Sequence, residues 1–99
     1  MILNVRFAVI NDVMTGVSKC NGKAYKMRYV VVEWDEPTEN PEVVRHQLLK
    51  CRMCGASVDA LTRLNPVLHE TEVPVEISFS TETFNGNVKN DVRLWLMVQ

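Results

Sequence analysis

The sequence predicts a mainly β protein, a small partly open barrel with a helical insertion in the middle. Alternating apolar residues mark strands at both ends of the chain, and two Asn-Gly pairs mark tight turns between strands. Near the centre, a stretch rich in acids and proline breaks the alternation. The 99 residues, 46% of them hydrophobic, fit a single domain over residues 1–99 with one core.

The opening segment "ILNVRFAVI" sets Leu3, Val5, Phe7 and Val9 on one face and Asn4 and Arg6 on the other, the period of a half-buried strand. After "NDVMTG", Asn21 and Gly22 supply a tight turn, from which a strand runs over about residues 23–34. Within it Tyr25, Met27, Tyr29 and Val31 share one face while Lys26 and Arg28 project from the other, until three consecutive valines bury both sides. "DEPTENPEVVRHQLLKC" predicts a helix: Asn40 caps it, Pro41 takes the first position and Glu42 sits near the positive end of the dipole. Val43, Val44, Leu48 and Cys51 recur at helical spacing, and Gly55 is the stop. "SVDALTRLNP" predicts a second short helical turn before Pro66.

Alternation then returns in "VPVEISFS" (Val73, Val75, Ile77, Phe79) and in "DVRLWLMV" (Val92, Leu94, Leu96, Val98), with Asn85 and Gly86 as the turn between. Four or five strands around a helical middle suit a small barrel better than a parallel sheet, which needs repeated crossover helices. An α+β sandwich remains open.

No apolar run approaches the roughly 18 residues that cross a bilayer, and "MILNVRFAV" lacks the basic start and cleavage site of a secretory signal, so a soluble cytoplasmic protein without membrane contact is expected. Three cysteines, Cys20, Cys51 and Cys54, form an odd set that argues for a reducing compartment over a disulfide framework. A net charge of −1 argues against nucleic-acid binding over the whole surface. The distribution is uneven: Lys19, Lys23, Lys26 and Arg28 give +4, whereas Glu33, Asp35, Glu36, Glu39 and Glu42 give −5.

A single-stranded nucleic acid offers phosphates to cations and base faces to aromatic rings, each stack being worth about 1 to 3 kcal/mol. Lys19 and Lys23 flank the first Asn-Gly turn, and Tyr25, Lys26, Arg28 and Tyr29 follow it, so both handles are interleaved in one hairpin. The alternative is ordinary: lysines beside a turn are commonly solvated, and Tyr25, Tyr29 and Trp34 fit the core or rim of a barrel equally well.

"TGVSKCNGKAY" (residues 15–25) resembles the "SGVS…GK.Y" hairpin of the filamentous-phage single-stranded DNA-binding proteins of the gene V type. "MILNVRF" is similar to their opening strand, and "VEISFSTETFNGNVKNDVRLWLMV" to their closing half. The resemblance covers about half the chain, at both ends. It implies an OB-like barrel, a homodimer, and a protein without catalysis that coats and sequesters single-stranded DNA during replication. By the same resemblance the hairpin base and stacking tyrosine fall on Lys19, Lys23 and Tyr25, and the aromatic before the later glycine on Phe84. Tyr29, Lys26 and Arg28 join them as contacts, with Trp34 a further stacking candidate. The chain departs from the family in its longer and more helical middle, residues 35–72, which is acidic at its start, and in Met14, where a further basic residue is expected.

"CRMC" has the spacing with which Cys51 and Cys54 could share one zinc, with His46 and His69 to complete four ligands. The histidines stand 23 positions apart on opposite sides of the cysteines, so two ordinary cysteines at a helix end are the simpler reading, and no metal or other cofactor is assigned. No phosphate loop, nucleophile elbow or paired-carboxylate motif points to an enzyme. The alternative function is a protein-interaction or assembly subunit that uses its β edge and central helix, with the acidic run as a contact surface and no nucleic-acid affinity.

Overall fold

The computed structural model describes residues 1–18, 20–64 and 70–97, and within them the side chains of residues 56, 82 and 84 are outside the description. The elements are β1 (Ile2–Ile10), β2 (Met14–Val17), β3 (Ala24–Pro37), β4 (Val44–Cys54), α1 (Ala56–Leu64), β5 (Val73–Phe84) and β6 (Asn87–Leu96). Hydrogen bonding runs β1-β5-β6-β4-β3, and β3 also pairs with β1, so five strands close a barrel while β2 hangs on the first part of β3. The ring closes at a parallel pairing between β4 and β6 where Arg52 meets Arg93. This mainly β architecture, with one short helix, is consistent with a small OB-like barrel. Among the described residues no helix is long and apolar enough to cross a membrane.

Every barrel strand sends alternate residues inward: Val5 and Phe7 from β1, Val30 and Val32 from β3, Cys51 and Met53 from β4, Val75 and Ile77 from β5, and Leu94 from β6. The expected inward Val9 is exposed, because Ala8 is an extra residue between the pairs Phe7–Val32 and Val9–Val31. That bulge reverses the alternation, and Ile10 packs on the core instead. Helix α1, where the short second turn was expected, adds the buried Val58 and Leu61 to the same core. Asp59 in its first turn and Arg63 in its last complement the helix dipole.

The longer helix predicted after Pro41 is replaced by strand β4. Asn40 caps a hairpin turn instead: Glu42 N–H donates to Asn40 Oδ1 at 3.1 Å and Val43 N–H to the Asn40 carbonyl at 3.0 Å. The Thr38 hydroxyl braces the turn, its single proton within reach of the Asn40 and Val43 carbonyls at 2.9 and 2.7 Å. Beyond it β4 pairs with β3 continuously from Pro37–Val44 to Met27–Cys54. The inward set is then Leu49, Cys51 and Met53 at period two, which the helical spacing of Val44, Leu48 and Cys51 obscured. Gly55, with φ of +67°, turns the chain from β4 into α1 and so ends a strand rather than a helix.

Candidate nucleic-acid interface

Since Val30 and Val32 point into the barrel, Tyr25, Met27, Tyr29 and Val31 of β3 point outward. The register places Tyr29 beside Arg52 and Val31 beside Lys50 on β4, and Arg52 beside Arg93 on β6. The outer face of β3, β4 and β6 therefore gathers two tyrosines with Lys50, Arg52 and Arg93. Lys50 Nζ lies 5.1 Å from the centre of the Tyr29 ring, within cation–π range. One groove, of about 350 Å³, is lined by Tyr29, Lys50, Arg52, Lys89 and Asp91 among others. The next, of about 550 Å³, shares Arg52 with it and adds Tyr25, Arg93, Cys54 and Cys20. Tyr25 and Tyr29 stand four residues apart on one face, about 13 Å along the strand.

A carboxylate orients the two arginines. Asp91 Oδ2 accepts from Arg52 Nη2 at 2.6 Å and from Arg93 Nε at 2.9 Å. One negative charge thus holds two positive ones; Arg52 Nε is buried without a partner among the described residues, and Arg93, the more exposed of the two, presents the more open guanidinium to a second anion. Burial works against the Arg52 charge, and the Asp91 carboxylate together with the Cys54 and Tyr25 groups outweighs it, so its pKa is raised.

Tyr25 is seated by a glycine. Gly16 of β2 lies opposite it, and a Cβ there would stand 2.8 Å from Tyr25 Cζ and 2.9 Å from its hydroxyl oxygen. The ring therefore lies across a strand position that only glycine leaves free. Gly16→Ala is expected to displace the Tyr25 ring at a cost below about 1 kcal/mol, because the far end of one side chain has to move. Tyr25 ring resonances and the urea midpoint check this, and an unmoved ring would refute the contact.

The other expected contacts divide. Lys23 is exposed at the β2–β3 turn, where its N–H donates to Asn21 Oδ1 at 3.0 Å and Gly22 takes φ of +69°. Lys26 and Arg28 do not share the tyrosines' surface, because period two turns them to the opposite face of β3. There Lys26 Nζ pairs with Asp59 of α1 at 3.5 Å, and Arg28 is half-buried with its Nε unpartnered among the described residues. Trp34 packs against the core and its indole N–H donates to Glu36 Oε1 at 3.2 Å, which corrects its stacking role. Phe84 ends β5 opposite Asn87, at a turn whose Asn85 and Gly86 take φ of 50° and 79°; its side chain and Lys19 lie outside the description. Lys50, Arg52, Lys89 and Arg93 were missed. For Lys50 and Arg52 the signal was their alternation with Leu49, Cys51 and Met53, legible only to a reader who takes this segment as a strand.

The same alternation removes a zinc site built on both cysteines. Cys51 is buried on the inner face, where burial pushes its thiol pKa up to about 11, while Cys54 lines the outer groove. Residues three apart in a strand point to opposite sides, so the two sulfurs do not converge. His46 lies five positions from Cys51, about 17 Å along β4, and His69 is outside the described residues. Among the described residues no group of three or more His, Cys, Asp or Glu is placed to hold a metal.

His46 belongs instead to an acidic end of the β3–β4 face. Its Nδ1 lies 2.8 Å from Asp35 Oδ1 and its Nε2 3.4 Å from Glu33 Oε2, while Arg6 reaches Glu33 at 3.4 Å. The hydrogen bond to Asp35 raises the His46 pKa above 6.5, against an opposing effect of desolvation and with further help from the Asp35 and Glu33 charges. A folded-state pKa above the unfolded value gives stability that is fully present below pH 6.5 and lost as pH rises through the folded pKa. An NMR titration should place the His46 midpoint above 6.5, and Asp35→Asn should return it towards 6.5. An unchanged midpoint in the variant would rule out Asp35 as the cause.

No protein-family model matches the chain, and no curated protein matches it significantly.

Proposed function

We propose that this protein binds single-stranded DNA along the outer face of β3, β4 and β6, coating and sequestering it during replication in the cytoplasm with little dependence on sequence. The observation that carries this reading is the grouping of Tyr25 and Tyr29 with Lys50, Arg52, Arg93 and Lys89 around adjoining grooves. Rings spaced about 13 Å apart serve bases, and the cations on the neighbouring strands serve the phosphates that join those bases. Lys23, exposed at the turn, extends the cationic side, and Glu33 and Asp35 bound it at the far end. The resemblance of residues 15–25 to the gene V type hairpin supports the same ligand, and Gly16 under Tyr25 supplies a physical reason for the glycine in that motif.

The homodimer belongs to this proposal. Past the barrel, β5 and β6 continue as a hairpin whose core-side face carries Phe79, 60% exposed, and Val88, 71% exposed. A second copy covering that face would bury them.

The test is a fluorescence-anisotropy titration of a labelled oligo(dT) at low and moderate salt, with sedimentation of the complex. Binding that weakens steeply with salt is expected, since each neutralised phosphate releases counterions. Absent or salt-independent binding would overturn the proposal. Oligomers without oligonucleotide affinity would favour an assembly subunit, the reading that the exposed Phe79 and Val88 support by themselves.

A further inference from the structure

The outer surface does not end at Arg93. Two residues further along β6, Trp95 is 37% exposed between the inward Leu94 and Leu96, so it shares the outer face with Arg93. It lines a third groove, of about 620 Å³, with Ser57, Glu76 and Ser78, and Cys54 joins this groove to the one that holds Tyr25. β6 runs parallel to β4 and β3 runs antiparallel to it, so stepping from Arg93 to Trp95 is a step in the direction from Tyr29 to Tyr25. Strand rise and spacing put Trp95 about 12 Å from each tyrosine, a third ring at the same interval around Arg52 and Arg93.

What distinguishes this groove is a carboxylate beside the ring. Glu76 is the cross-strand partner of Trp95, is exposed, and makes no salt bridge among the described residues. An ionised carboxylate only accepts hydrogen bonds. Of the four bases, guanine alone presents two adjacent donors, N1–H and N2–H, on its Watson–Crick edge. Cytosine and adenine set an acceptor beside their amino group, and thymine flanks its single N–H with carbonyls, so each would point a lone pair at Glu76.

We propose that the Trp95 groove is a base subsite selective for guanine, in which the unpaired base stacks on Trp95 and Glu76 accepts from N1–H and N2–H. The inference rests on the single-stranded DNA reading for its occupant and adds one preferred position to an otherwise sequence-tolerant track. Glu76 would repel a phosphate placed there, so the groove takes the base and leaves the backbone to Arg52 and Arg93.

The experiment compares oligo(dT) of about 12 nucleotides with the same strand carrying one central dG, dA or dC. The dG strand is expected to bind roughly five- to tenfold tighter, the low end for a bidentate base contact. Glu76→Gln should abolish that preference while leaving oligo(dT) affinity equal or higher. Equal affinities for all four strands, or a dG preference that survives Glu76→Gln, would overturn the subsite. If oligo(dT) does not bind at all, the general reading fails separately. The subsite is then decided with free dGMP against dCMP, followed through the Trp95 indole N–H resonance, which should move with dGMP alone and stay still if no subsite exists.

Discussion

Tyr29→Ala is expected to weaken oligo(dT) binding about 5- to 150-fold, the equivalent of one lost base stack at about 1 to 3 kcal/mol. The ring lies on the outer face between Lys50 and Arg52, so the substitution removes a stacking platform and also the surface over which Lys50 Nζ is held. Tyr29→Phe keeps the π-face and should retain most of the affinity. Arg52→Ala is the electrostatic counterpart. It removes a phosphate partner, and the salt slope should fall by about one released ion. Anisotropy titrations at several salt concentrations separate the two, because loss of a ring lowers affinity at every salt concentration without changing the slope. If Tyr29→Ala binds like the parent protein, the nucleic acid does not cross this face.

Phe7→Ala should lower the unfolding free energy by about 3 to 5 kcal/mol. Phe7 is wholly buried in the shared core, on the strand that pairs with both β3 and β5. Its loss opens a cavity that a closed ring of strands has little freedom to fill. Against the ~5 to 15 kcal/mol that typical domains possess, that is a large fraction. Phe79→Ala, on the exposed hairpin, should change monomer stability by less than about 1 kcal/mol. Urea unfolding followed by tryptophan fluorescence compares the pair, and equal losses would contradict the assignment of core and arm.

The contrast between β5 and β4 shows which parts of this molecule are written locally. Val73, Val75 and Ile77 alternate without a competing period, and Asn85 and Gly86 reach positive φ by their own chemistry, so the closing hairpin follows from adjacent residues. In β4 the apolar residues fit periods of two and of 3.6 at once, and Asn40 with Pro41 serves a hairpin turn as well as a helix start. The 11-residue pairing with β3 settled the choice, because it meets the backbone's hydrogen-bonding demand and puts Leu49, Cys51 and Met53 into the core.

Composition and local pattern were enough for a mainly β domain, its terminal strands, its Asn-Gly bends and the two tyrosines of the candidate face. Only the closed ring could decide which cations join them, since charged residues from β4 and β6 meet Tyr25 and Tyr29 through strand register, far from them in the chain. Lys26 and Arg28 sit closest in sequence and yet face away, because neighbouring residues of a strand point to opposite sides of the sheet.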